Sequence, residues 1–112
     1  MSGGNGLLEV RIAAPAADAQ RLARLLVDER LAACVQVVPG VVSTFRWDGA
    51  VTTAEEQLVV AKTHRSRFEE ILDRVGEEHP YETPEIIAVP IVEASAAYAA
   101  WLVDEVAAGE RS

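Results

Sequence analysis

The stretch Val41-Val42-Ser43-Thr44-Phe45-Arg46-Trp47-Asp48-Gly49-Ala50-Val51-Thr52-Thr53 decides the fold. Its β-branched and aromatic residues suit a pleated strand, and Asp48-Gly49 favours the positive backbone angles of a two-residue hairpin turn. The chain is therefore expected to reverse there and return through Val51 to Thr63, making the two central strands antiparallel. An open doubly wound sheet needs parallel neighbours joined by crossovers, so this turn argues against it. Upstream, the run extends back through Cys34-Val35-Gln36-Val37-Val38, with Pro39-Gly40 reading as a bulge or bend inside one long strand. About twelve residues at ~3.3 Å each give a ribbon near ~40 Å, longer than the body of so small a domain needs. Part of it is expected to reach a neighbouring subunit.

The rest of the chain arranges itself around this ribbon. Leu8, Val10 and Ile12 alternate with Glu9 and Arg11, the period of a strand with one buried face. After Pro15, Ala19, Leu22, Ala23, Leu26 and Leu31 recur at helical spacing and predict a helix over residues 17–31. A second helix is expected over 65–78, with Phe68, Ile71, Leu72 and Val75 inward and either a Ser66–Glu69 capping box or Thr63 at its start. Residues 86–92 read as a strand interrupted by Pro90, which belongs at an edge or bulge. Ser95 can then cap a last helix whose apolar face is Tyr98, Trp101, Leu102 and Val106, with Gly109 to Ser112 fraying. The order β-α-β-β-α-β with an added C-terminal helix is the split βαβ arrangement of an α+β, ferredoxin-like fold. One domain is expected over 7–106, between flexible termini at 1–6 and 107–112.

Composition narrows the function classes. A chain of 112 residues hides only about two-thirds of its surface on folding, a size at which association adds useful burial. The formal net charge of −8 repels phosphate backbones, and no basic stripe is present, so no nucleic-acid partner is expected. Met1 to Gly6 lack the cationic start and apolar run of a secretory signal, and no later run approaches the ~20 residues of a membrane span. The expected location is the cytoplasm, without membrane insertion. The single cysteine, Cys34, excludes a disulfide within the chain and a four-thiolate zinc site within one protomer.

The densest chemistry lies in His79-Pro80-Tyr81-Glu82-Thr83-Pro84-Glu85. Pro80 cannot continue the preceding helix and Pro84 biases Thr83 towards an extended shape, so an imidazole, a phenol and a carboxylate sit on a restrained loop. They could bind a metal, hold an anion or move a proton; equally, they could be a helix stop with a hydrogen-bonded tyrosine. Cys34 reads as a soft copper ligand or as packed core. Lys62, charged among Leu58, Val59, Val60 and Ala61, reads as an anion-binding group or a wet-face lysine. Trp47 and Tyr81 suit the lining of a cleft, or an interface, better than metal ligation. Glu55 and Glu56, next to Gln57, read as a pair that could sequester a cation or, as short acidic runs usually are, as solvated surface, and Trp101 reads as packing. No Gly-rich phosphate loop, HExxH, CxxC or serine elbow occurs, so catalysis is not expected.

Taken together, Glu29 to Val35, Pro39-Gly40-Val41, Trp47, Lys62-Thr63, His79-Pro80-Tyr81-Glu82, Pro84-Glu85-Ile86 and Tyr98 before Trp101-Leu102 resemble the CutA family of divalent-cation tolerance proteins. The resemblance runs from about Leu7 to Val106; Gln36 stands where the family often has Asn. It implies a ferredoxin-like protomer in a homotrimer whose long hairpins pair between subunits, as in PII-like signalling proteins. It also implies a link to divalent ions, copper first and zinc second. On this reading His79, Glu82 and Cys34 are the candidate metal ligands, and Trp47, Lys62 and Tyr81 the candidate ligand-binding cleft. The alternative reading is a PII-like regulatory module that binds a small ligand or anion between subunits and signals to a protein partner.

Overall fold

The computed structural model describes residues 4–110. Its elements are β1 (Leu7–Ala14), α1 (Ala16–Asp28), β2 (Cys34–Trp47), β3 (Ala50–His64), a 3-10 turn (Arg65–Arg67), α2 (Phe68–Glu78), β4 (Ile86–Pro90) and α3 (Ala96–Glu110). The sheet runs β2-β3-β1-β4 with every neighbouring pair antiparallel, the strand order of a ferredoxin-like α+β protomer with an added helix.

The hairpin forms as its residues dictate. Asp48 and Gly49 both take positive φ, 52° and 79°, and Trp47 pairs with Ala50 across the turn. Two left-handed residues in succession match the right-handed twist of the flanking strands, which is why the turn is tight. At Pro39-Gly40 the register shifts between Val38 and Val41, with Gly40 at φ 78°: a bulge that bends the ribbon without ending it. The ribbon projects, and the protomer's longest axis is 44 Å.

Alternation along β1 divides the core between the two faces of the sheet. Leu8, Val10 and Ile12 join Val59 and Ala61 under Ala19 and Leu26 of α1 and Ile71 and Val75 of α2. Leu7 points the other way and packs with Ala33, Leu102 and Val106, the last two from α3. The helices α1 and α2 are also tied at the surface, where Arg74 grips Glu29 through two nitrogens at 2.8 Å each and Arg21 reaches Glu78 at 2.9 Å. The Arg74 guanidinium holds the Glu29 carboxyl below the usual carboxylate range.

Four boundaries differ from the sequence reading. First, α1 stops at Asp28, because Arg30 turns left-handed at φ 58° and the amides of Arg30 and Leu31 return to the carbonyls of Val27 and Leu26. This double closure lets Leu31 stay in the core beyond the helix end, so its periodicity with Leu26 was real while its helicity was not. Second, Thr63 does not cap α2. Thr63 is buried and donates to the Leu31 carbonyl at 2.6 Å, while His64 Nδ1 accepts from the Ser66 amide at the head of the 3-10 turn. Third, β4 ends at Pro90 and leaves Val92 exposed; as an edge strand it tolerates a residue without an N–H. Fourth, α3 runs to Glu110, past the expected limit at Val106, and among its described side chains Leu102 and Val106 are the buried apolar ones; Tyr98 and Trp101 lie largely exposed, rings 5.6 Å apart. The expected flexible residues 1–3 and 111–112 lie outside the described residues.

Candidate functional site

The loop after α2 is anchored by its histidine. His79 ends the helix in an extended conformation, and its side chain folds back into the protein, only 7% exposed. Its Nε2 donates to the Ala13 carbonyl at 2.8 Å, and its Nδ1 accepts from the Tyr81 amide at 3.1 Å. The two contacts define one neutral tautomer, since a carbonyl can only accept and an amide can only donate. The ring also packs against Tyr81 with centroids 4.8 Å apart. His79 thus ties the end of β1 to the loop and aims Tyr81 outward.

Tyr81 completes a second link. Its hydroxyl donates to Glu56 Oε2 at 2.8 Å, and the Ser43 hydroxyl donates to Glu56 Oε1 at 2.6 Å. Glu56 is 7% exposed, so the expectation that it is solvated surface does not hold. Its depth follows from the fold, because the loop carrying Tyr81 and the β2 strand carrying Ser43 close over it from either side. Burial first, then the hydrogen bond and the charge of Glu56, push the Tyr81 phenol above its ordinary value. The only sequence signal for this carboxylate was its place two residues before Leu58 and four before Val60 on the same strand face.

Above this triad lies a cleft of about 560 Å³, bounded by the ribbon and the 79–85 loop. Phe45, Trp47 and Tyr81 contribute aromatic surface, Ser43 and several threonines contribute hydroxyls, and Glu56 and Glu85 contribute the charge. Its size is that of small-molecule sites.

The six residues singled out from the sequence divide accordingly. Trp47 and Tyr81 share the cleft. Lys62 is elsewhere: its Nζ donates to Gln36 Oε1 at 2.8 Å, and its strand position faces Cys34. Cys34 is half-buried, close enough to Tyr98 that the thiol adds to burial in pushing that phenol up. Glu82 is exposed on the loop. The proposed metal ligands do not converge within one protomer. Cys34 lies opposite Lys62, whereas His79 bonds to Ala13, whose neighbour Leu58 is four residues, or ~13 Å, farther along β3. Both His79 nitrogens are already engaged, and among the described residues no group of three or more His, Cys, Asp or Glu side chains could hold a metal. The described residues of a single protomer therefore do not assemble a site for a resident metal ion.

The fold and the ordering of these residues agree with a wider likeness. A sequence profile for the CutA1 divalent ion tolerance protein matches residues 9–105. The chain belongs to the CutA family. It is 46% identical, over 75% of its length and 82% of the other's, to the divalent-cation tolerance protein CutA of Thermus thermophilus. It is 42% identical over 74% of its length to the chloroplastic CutA of Arabidopsis thaliana, but spans only 46% of that longer protein. Among solved structures, CutA from Xylella fastidiosa superposes with a TM-score of 0.88 at 35% identity, covering 91% of this chain and 99% of that one. The PII-like protein CutA from Nostoc sp. PCC 7120 superposes with a TM-score of 0.83 at 30% identity, over 88% and 96% of the two chains. The expected CutA membership and PII-like fold are thereby established. No helix among the described residues is long and apolar enough to cross a membrane.

Proposed function

We propose that this CutA-family chain is a homotrimeric, non-catalytic module of the cytoplasmic response to divalent metal ions, and that it senses a small ligand in the cleft beside Tyr81. One observation carries the reading. The Tyr81–Glu56–Ser43 bonds bridge the 79–85 loop to both strands of the ribbon, so a ligand that rearranges Tyr81 alters contacts on β2 and β3 together. Because the ribbon projects from the protomer, it is the element suited to carry that change to a neighbouring subunit or a protein partner. The exposed Trp47 at its tip, 60% accessible, together with Val42 and Val51, gives such a contact apolar surface.

A second reading is direct binding of copper, or zinc, between protomers. It is favoured by the family's association with divalent ions and by the accessibility of Glu82 and, in part, of Cys34. Titration of the assembled protein with Cu(II), Zn(II), nucleotides and small metabolites tests the first reading, following Trp47 emission in a Trp101→Phe background and amide exchange along residues 43–56. A saturable ligand is expected to change both signals. If every ligand that binds leaves both unchanged, the cleft is not the sensing site.

A further inference from the structure

We infer that the cleft beside Tyr81 is a receptor for a small organic cation, a primary ammonium or guanidinium group carried on a short apolar body. The inference rests on the cleft being the ligand site and adds the chemical class of the ligand. Its first support is the charge of the walls. Glu56 and Glu85 are the charged residues that line the cleft, and among the described residues of the protomer no lysine, arginine or histidine joins them. Lys62, the residue the sequence offered for an anion, is held by Gln36. An anion entering here would meet two carboxylates and no compensating cation, within a chain whose net charge is already −8.

The second support is the state of Glu56 itself. It is buried, yet both of its partners are neutral hydroxyls, Ser43 at 2.6 Å and Tyr81 at 2.8 Å, and no ion pair reaches it among the described residues. A carboxylate has about four lone-pair positions, so two remain for donors from a ligand. A cationic N–H donor satisfies them with the stronger, charge-assisted bond and neutralises a charge that is otherwise desolvated without a counterion.

The third support is the aromatic surface. Phe45, Trp47 and Tyr81 line the same space, and the faces of such rings attract ammonium and guanidinium groups while their bodies bury methylenes. A bare metal ion would use neither the rings nor the apolar wall, and the donor groups of one protomer do not assemble a coordination shell for it. An organic cation uses all three features.

Calorimetry on the intact Trp101→Phe protein, with Trp47 emission recorded in parallel, tests this with n-butylammonium, n-butylguanidinium, n-butyrate, inorganic phosphate, Cu(II) and Zn(II) as probes. The two organic cations are expected to bind saturably and shift Trp47 emission, with butyrate and phosphate at least tenfold weaker. Glu56→Gln should reduce cation affinity at least tenfold, and Glu56→Asp, which keeps the charge, should retain more of it. Circular dichroism and sedimentation of both variants establish that they remain folded and assembled. If Glu56→Gln binds the cations as the parent does, or if butyrate, phosphate or the metal ions alone move Trp47, the cation assignment is overturned while the cleft remains the ligand site. If no probe and no metabolite moves Trp47, both the assignment and the sensing site fall together.

Discussion

The Tyr81 hydroxyl lies 2.8 Å from Glu56 Oε2, a bond between residues twenty-five positions apart that fastens a surface loop to a projecting ribbon. Its worth depends on Glu56 being buried. A hydrogen bond to a charged acceptor contributes about 1.5–3 kcal/mol, and its loss leaves a desolvated carboxylate with one donor fewer. Tyr81→Phe is therefore expected to lower unfolding free energy by about 1–2 kcal/mol in denaturant titration. Ser43→Ala should cost a similar amount. In the double variant the losses should not add, because both donors serve one carboxylate. Strict additivity would mean that the two bonds are independent.

The same bond sets an alkaline limit. The folded protein holds the Tyr81 phenol above its ordinary value, chiefly by burial and then through Glu56, so it keeps a proton that the unfolded chain releases above about pH 10. In that window the native state binds more protons, and stability falls as pH rises. Tyr98, pushed up by burial and by Cys34, acts in the same direction. Thermal melts from pH 8 to 11 should show a shallower alkaline decline in Tyr81→Phe than in the parent. Identical slopes would remove Tyr81 as a source of the pH dependence.

His79 is expected to act on stability before anything else. His79→Ala deletes a buried ring and two hydrogen bonds, a loss of about 2–4 kcal/mol, and releases Tyr81 from its aimed position. Calorimetric titration with Cu(II) should find the affinity of the folded variant within about twofold of the parent, since a ring with both nitrogens engaged offers no free lone pair. A tenfold loss of Cu(II) affinity in a folded, assembled His79→Ala protein would instead assign the imidazole to the metal.

Assembly is tested by mass and by dilution. Sedimentation is expected to give a species of three times the 12.1 kDa chain at micromolar concentration. Because subunit association binds only the native form, dilution should lower the melting temperature. A monomeric mass, or melting independent of concentration, would exclude the trimer.

The Asp48-Gly49 pair determined the hairpin locally, since its preference for left-handed backbone needs no distant partner, and the antiparallel pairing of β2 with β3 followed. Alternation in Leu8, Val10 and Ile12 likewise declared a buried strand face, because period-2 burial is a property of the strand itself. Trp47 and Tyr81 could be put forward for a cleft on residue type alone. What the chain order could not supply was whom each side chain would meet. Glu56 looks like wet surface beside Glu55 until the Tyr81 loop and Ser43 close over it, and His79 looks like a free ligand until Ala13, sixty-six positions away, takes its Nε2. Lys62 fits an anion site until Gln36 on the neighbouring strand claims it. Turns and strand faces depend on backbone angles within a few residues, and so are written locally. The burial and partners of a polar side chain depend on segments brought together from across the chain, and only the tertiary structure decides them.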